Sequence, residues 1–143
     1  MSTPRLYFAL NQAQHRLRKS ADRQCLARIG ASSAQLGALY FIRNHEPCSQ
    51  ADIAGAFGQD ESAATGMLAR MQKAGLIQRE RNPDDRRVTR VTLTTAGRKT
   101  LETADEMLRD FNRRLGAGFN RQEIALVQRF LDSVIQRVDA GEL

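Results

Sequence analysis

A chain of 143 residues with 41% hydrophobic residues is long enough to bury a core, and this composition excludes an intrinsically disordered protein. The formal net charge of +6 favours a polyanionic partner, and nine basic residues against three acidic ones lie between residues 70 and 99. Two cysteines are too few for a disulfide framework and no apolar run is long enough to span a membrane, so we expect a cytoplasmic protein.

The first two predicted elements are helices. Apolar residues recur at helical spacing between residues 6 and 17, which predicts a long first helix bounded by Pro4 and by the break at "RIGASS". A second helix follows Ser32 or Ser33. This helix stops before Pro47, because a residue that precedes proline disfavours the helical conformation.

Two short helices joined by a glycine-containing turn come next. Ser49 is the predicted N-cap of the first, with Asp52 three positions on, and Gly58 ends it. Its predicted inner face consists of Ile53, Ala54 and Phe57. The second begins at residues 60–62 and ends near Gly75. Its predicted inner face consists of Ala64, Met67, Leu68 and Met71.

The outer face of the second short helix carries small, polar and basic residues. They are Ser62, Gly66, Ala69, Arg70 and Lys73. Two short helices with a tight turn, the second presenting such side chains outward, indicate a helix-turn-helix. An ordinary helical hairpin shows a similar pattern and is the alternative interpretation.

The stretch "NPDDRRVTRVTLTTAG" predicts a β-hairpin, because "LIQRER" and "RVTRVTL" are typical strands on either side of a proline and aspartate turn. A hairpin directly after a recognition helix is a wing, whose tip arginines reach the narrow minor groove of DNA. We expect Asp85 to hold the Arg87 guanidinium in a bidentate pair, which reduces the rotamer entropy lost on binding. The alternative is a solvated hairpin whose charges only prevent edge-to-edge pairing.

Two amphipathic helices with apolar stripes follow the hairpin, one capped by Thr94 and one starting after Asn120. The first stripe consists of Leu101, Ala104, Leu108, Phe111 and Leu115. The second consists of Ile124, Val127, Phe130, Leu131, Val134, Ile135 and Val138. Such wide stripes are covered either by a second copy of the chain or by folding back on the same chain.

The stretch "MQKAGLIQRERNPDDRRVTRVTLTTAG" resembles the winged region of MarR-type transcription regulators. The matching residues are Gly75, Leu76, Ile77, Asp85, Arg87, Leu93, Thr94 and Gly97. The resemblance implies one MarR-like domain over residues 1–143, mainly α with a small β-hairpin wing. It places dimerisation helices at residues 1–30 and 100–143 and a winged helix-turn-helix at residues 31–99.

The same resemblance implies a homodimer that binds a pseudo-palindromic operator in double-stranded DNA, most simply a repressor released by a small, often aromatic or phenolic, effector. The expected DNA-binding residues are Ser62, Ala63, Thr65, Gly66, Arg70, Lys73, Asp85, Arg86 and Arg87. Gly66 departs from the family pattern, which often has arginine or another polar residue there, and it weakens the helix by roughly 1 kcal/mol relative to alanine. No ligand-binding residue is indicated.

Two other functions stay open. One is a redox-sensing regulator, the alternative in which Arg23 and Arg28 on either side of Cys25 lower the pKa of its thiol; an inert, partly buried thiol is the preferred interpretation. Gly66 favours a protein-interaction module that keeps the fold without binding DNA. No His, Cys or carboxylate spacing matches a metal site and no glycine-rich phosphate loop follows a strand, so we expect no metal, no cofactor and no enzymatic activity.

Overall fold

The computed structural model describes residues 5–143, in which six helices and three short strands follow one another. The helices are α1 (Leu6–Ile29), α2 (Ser33–His45), α3 (Gln50–Ala56), α4 (Glu61–Lys73), α5 (Thr95–Leu115) and α6 (Arg121–Asp139), and the strands are β1 (Cys48–Ser49), β2 (Ile77–Arg81) and β3 (Thr89–Leu93). The chain divides into two compact units, one ending at Asp105 and the other comprising Glu106–Leu143. Pro4, the predicted boundary of the first helix, lies outside the described residues. No helix in the described part of the chain has the length and apolar character needed to cross a membrane.

Side-chain caps establish the helix starts that the sequence predicted. Ser49 Oγ accepts a hydrogen bond from Asp52 N at 3.0 Å, and the Asp52 carboxylate accepts one from Ser49 N at 3.0 Å. Asn120 and Glu123 form the same reciprocal pair at the start of α6, with both distances 2.9 Å. Ser32 caps α2 in the same way. Each reciprocal pair satisfies two backbone N–H groups that would otherwise lack a partner at the helix start.

The three strands form one antiparallel sheet in the order β1-β3-β2. Strands β2 and β3 make the predicted hairpin, with Ile77 opposite Leu93 and Arg81 opposite Thr89. Val91 of β3 is buried and is also paired with Cys48 of β1. Strand β1 was not predicted, because two residues are too few to show the alternation that identifies a strand. It immediately precedes α3, so the sheet connects the hairpin to the helix-turn-helix.

One apolar core holds the first unit together. Its largest fully buried side chains are Leu39, Ile42, Ile53, Leu68, Met71, Ile77, Val91 and Leu101. They come from α2, α3, α4, α5 and both strands of the hairpin. The predicted inner face of α4 is confirmed, since Ala64, Met67, Leu68 and Met71 are all buried.

Phe57 does not join this core, and its predicted inward position is wrong. Its relative exposure is 41%, while Ile53 and Ala54 on the same predicted face are buried. Helix α3 ends at Ala56, and Phe57 leaves the helical conformation with φ −105° and ψ 7°. Its ring therefore leaves the inner face of α3 and lies edge-on to Phe41, with ring centroids 6.2 Å apart.

Gly97 lies where the first turn of α5 approaches the base of the hairpin. A β-carbon at this position would be 2.2 Å from the carbonyl oxygen of Leu76. Thr94 N donates to that oxygen at 3.1 Å, and Thr94 Oγ1 donates to the Gly75 carbonyl at 2.6 Å and accepts from Gly97 N at 3.0 Å. Thr94 and Gly97 of the "LTTAG" stretch therefore connect the end of α4 to the start of α5.

We expect Gly97→Ala to destabilise the protein by about 1–3 kcal/mol, because the added methyl group must displace backbone in a close-packed region. Gly55→Ala is the matched control, since a β-carbon there meets nothing within 4 Å. Alanine is the better helix former, so the control should gain about 0.5–1 kcal/mol. Urea unfolding measures both changes. A Gly97→Ala variant as stable as the control would contradict the close approach.

Helix α6, in the second unit, exposes most of its apolar stripe. Its exposed large apolar side chains are Ile124, Leu126, Val127, Phe130, Leu131, Ile135 and Val138, and none of the α6 residues is buried. Helix α1 also exposes large apolar side chains, namely Leu6, Tyr7, Phe8, Leu17 and Leu26. In the single chain, therefore, these stripes remain largely uncovered.

Candidate nucleic-acid interface

The outer face of α4 is accessible along its whole length. Ser62, Ala63, Arg70 and Lys73 are exposed, and Thr65 is half-buried. Asp60 caps the helix by accepting a hydrogen bond from Ala63 N at 2.7 Å. Thr65 Oγ1 donates to the Glu61 carbonyl at 2.7 Å, which leaves its oxygen free to accept.

Gly66 lies in the middle of this outer face and is half-buried. A β-carbon built at this position would meet only the Arg70 guanidinium, at an ordinary contact distance of 3.6 Å. The fold of the single chain therefore does not require glycine here. The absence of a side chain lowers the surface of the helix at the centre of the predicted interface.

The hairpin tip holds the ion pair that the sequence predicted. Arg87 Nε donates to Asp85 Oδ1 at 3.1 Å, and Nη2 donates to Asp85 Oδ2 at 3.3 Å. Arg87 N also donates to Asp85 Oδ1 at 3.1 Å. The Arg87 side-chain and backbone donors hold the pKa of the Asp85 carboxyl below its ordinary value. The Arg87 side chain is nevertheless 91% exposed, so its guanidinium is oriented and still accessible to a partner.

Hydrogen bonds of the Asn82 backbone and side chain order the rest of the tip. Asn82 N donates to the Val88 carbonyl at 2.8 Å, and Asn82 Oδ1 accepts from Asp84 N at 2.9 Å. Arg86 is exposed at the turn. The tip therefore presents two neighbouring arginines, of which only Arg87 is held by Asp85.

Two side chains whose contacts the sequence did not indicate, Arg79 and Glu46, connect the hairpin to the neighbouring helices. Arg79 of β2 donates to Gln72 of α4 at 2.7 Å and to Gln50 of α3 at 2.9 Å. Glu46 accepts a hydrogen bond from Leu93 N at 2.9 Å and forms an ion pair with Arg98 of α5. Burial raises the pKa of the Glu46 carboxyl, but the Leu93 and Arg98 donors outweigh burial and leave this pKa below its ordinary value.

Comparisons with known proteins match both the sequence of this region and the fold of the chain. Residues 31–89 match the family model described as the MarR family. The multiple antibiotic resistance protein MarR of Escherichia coli strain K12 is 27% identical over 132 residues, which cover 92% of this chain and 89% of that protein. A crystal structure of a probable transcriptional regulator from Pseudomonas aeruginosa is 30% identical with a TM-score of 0.78, covering 91% of this chain and 96% of that one. The chain belongs to the MarR family.

MarR-family proteins are transcriptional regulators, and a solved relative shows the fold on DNA. The structure of the transcriptional repressor CouR bound to a 23-mer DNA duplex is 27% identical to this chain, with a TM-score of 0.84. The alignment covers 91% of this chain and 92% of the CouR chain. The predicted family and the predicted winged helix-turn-helix fold are thus confirmed.

The two thiols of this MarR-family chain are buried. The relative exposure of Cys25 is 3%, and burial, with a smaller effect of the Asp22 carboxylate, raises its pKa. The structure agrees with the preferred interpretation of a buried thiol. The alternative in which Arg23 and Arg28 lower this pKa is contradicted, because burial outweighs the charge of sequence neighbours. Cys48 is also buried, and burial raises its pKa to about 11. Across residues 5–143 no group of three or more His, Cys, Asp or Glu side chains is arranged to hold a metal ion.

We expect both thiols to be unreactive in the native protein, because the thiolate is the nucleophile and a raised pKa keeps its population small near neutral pH. Labelling with a disulfide reagent at pH 7.5 should be slow for the folded chain and fast in denaturant. A Cys25→Ser variant tests the consequence, since mild peroxide should leave DNA binding unchanged with or without this thiol. Rapid native labelling of Cys25, with peroxide-sensitive DNA binding, would contradict this expectation.

Proposed function

We propose that this MarR-family regulator is a homodimeric repressor that binds a pseudo-palindromic operator and releases it when a small effector binds. One observation carries the DNA-binding part: an accessible α4 face of small, polar and basic residues is followed at once by a hairpin whose tip guanidinium is already oriented by Asp85. The DNA-bound structure of CouR supports the same use of this fold.

The two parts of the interface have different roles in the proposal. Residues 62–66 at the start of α4 face base edges in the major groove, with Ser62 and Thr65 as contacts to bases or phosphates and Ala63 and Gly66 as points of close approach. Further along the helix, Arg70 and Lys73 meet phosphates, which position the protein without carrying sequence information.

The wing supplies the second contact. Arg87, held by Asp85, enters the minor groove, where narrow A·T-rich segments have the strongest negative potential. The neighbouring Arg86 meets a phosphate. Reading through the minor groove concerns groove shape more than base identity, so the wing selects the flanks of the operator while α4 selects the sequence of each half-site.

The homodimer is supported by apolar surface that the single chain leaves open. The exposed residues of the α6 stripe have exposures between 37% at Leu131 and 59% at Ile135, and α1 exposes Leu6, Tyr7 and Phe8. Large exposed apolar patches are typical of protein interfaces. A twofold dimer brings two α4 faces to one duplex, with half-sites about one helical turn, roughly 10 bp, apart.

Selection of bound fragments from sheared genomic DNA by the purified protein tests the DNA-binding part. Enriched fragments should share a twofold-symmetric sequence, and the strongest of them defines the operator. Enrichment without twofold symmetry, or affinity that never exceeds that for random duplex, would contradict the proposal and favour the protein-interaction alternative.

The effector part rests on the family resemblance, and we assign no residue to it. Small aromatic acids and phenols are the compounds to screen for release of the operator. Because coupling between two binding sites is reciprocal, an effector must weaken operator binding by the same factor as the operator weakens effector binding. Release without this reciprocity would show that the compound acts on the DNA or unfolds the protein.

A further inference from the structure

One arginine side chain of the wing contacts both α3 and α4. Arg79 is the third residue of β2, and its Nε donates to Gln72 Oε1 at 2.7 Å while its Nη1 donates to Gln50 Oε1 at 2.9 Å. Gln72 lies in the last turn of α4, and Gln50 is the first residue of α3. A single planar guanidinium therefore connects the wing to both helices of the helix-turn-helix.

We propose that Arg79 is a positioning residue that fixes the angle between α4 and the wing, so that the α4 face and Arg87 meet DNA together. This inference rests on the proposed function. The guanidinium is suited to the role because its N–H donors lie in one rigid plane, so two acceptors held at once define an orientation as well as a distance. Arg79 itself touches no DNA in this arrangement.

Because of the position of Arg79 along the hairpin, a small change in angle at this residue displaces the tip. Its backbone pairs with the buried Val91 of the central strand, so the inner end of the hairpin is anchored at this row. Asn82 at the tip is three residue steps further along the chain, about 10 Å away. A tilt of about 10° at the row of Arg79 therefore moves the tip by about 2 Å, enough to break a hydrogen bond from Arg87.

The groups that accept hydrogen bonds from Arg79 are the neutral amides of Gln72 and Gln50, so this contact is not an ion pair. Among residues 5–143 the salt bridges include none to Arg79, so its positive charge is not cancelled locally. Replacement by lysine keeps that charge but offers one compact ammonium in place of a planar fork. Arg79→Lys thus removes the orienting geometry without changing the net charge of the interface.

Three variants and one control test the inference. Arg79→Lys removes the fork, Gln72→Ala removes its acceptor on α4, and Gln50→Ala removes its acceptor on α3. Arg81→Lys on the same strand is the control, because Arg81 is exposed and the change is chemically identical. Each is titrated against the enriched genomic fragment and against random duplex of the same length, at two salt concentrations, after thermal unfolding has confirmed the fold.

The wild type must first prefer the enriched fragment, and absence of that preference defeats the proposed function before Arg79 is tested. Given the preference, Arg79→Lys should lose about tenfold in affinity for the fragment, as expected for hydrogen bonds to a charged group. Its affinity for random duplex should stay near that of Arg81→Lys, and its salt slope should not change, because the charge remains.

The glutamine variants separate positioning from direct contact. Gln72→Ala removes no charge, yet it should also lose specific binding, and adding it to Arg79→Lys should cost little more because both remove the same bond. If Arg79→Lys fails to fold, Gln72→Ala at its exposed position carries the test alone. The inference is overturned if the Arg79 and Gln72 variants match the control. Equal loss on both duplexes would also overturn it.

Discussion

Leu131→Asp is expected to give a folded monomer that no longer binds the operator. Leu131 lies in the exposed α6 stripe, so the new carboxylate stays in water in the single chain and the fold should survive. In a twofold dimer the same residue is buried in both copies. An unpaired buried charge costs about 3–5 kcal/mol, which at two copies weakens dimerisation by at least about ten-thousandfold.

Sedimentation of the variant and titration on the operator measure the two consequences together. Gln136→Asp is the matched control, because it adds the same charge to α6 at an exposed polar position among Gln128, Arg129 and Asp132. The control should remain dimeric and bind DNA. A wild type that sediments as a folded monomer while binding the operator would show that the α6 stripe has another partner.

Features that depend on near sequence neighbours were predictable. The reciprocal cap of Ser49 with Asp52 and the ion pair of Asp85 with Arg87 each join residues two or three positions apart. Both contacts can therefore be predicted from the sequence without knowledge of the fold. The inner face of α4 was predictable for a similar reason, because helical spacing alone places Met67 on one side.

Features that depend on the fold were missed or wrong. Arg79 reaches Gln72 and Gln50, which lie 7 and 29 residues away in sequence, and no local pattern indicates that meeting. The alternative of a lowered Cys25 pKa considered only charged sequence neighbours, whereas burial by tertiary packing raises this pKa. Phe57 was placed inward by extending a helix that ends one residue earlier. In each case tertiary structure outweighs the local signal.

Alanine variants of the two arginines at the wing tip should affect DNA binding differently. Arg86→Ala should weaken binding to operator and random duplex alike and reduce the salt slope by about one unit for the lost phosphate contact. Arg87→Ala should also reduce the preference for narrow A·T-rich flanks, by about 1–3 kcal/mol if a groove contact resembles other specific contacts. Titrations on operators with A·T-rich and G·C-rich flanks measure the difference. Equal flank preference in both variants would show that the tip acts only through its charge.

The direction in which Asp85→Ala changes operator affinity distinguishes an orienting role of Asp85 from a purely electrostatic one. Removing the carboxylate raises the net positive charge of the tip, so a diffuse basic patch would bind every duplex more tightly. If the Asp85 carboxylate instead orders Arg87 through its two side-chain bonds, the freed guanidinium must be ordered on arrival and operator binding weakens. Random duplex, which needs no placed guanidinium, should be bound more tightly by the same variant. Opposite changes on the two duplexes are therefore the expected result, and Asp84→Ala is the control, because Asp84 takes part in no ion pair within residues 5–143. Tighter operator binding by Asp85→Ala, equal to that of the control, would eliminate the orienting role of Asp85.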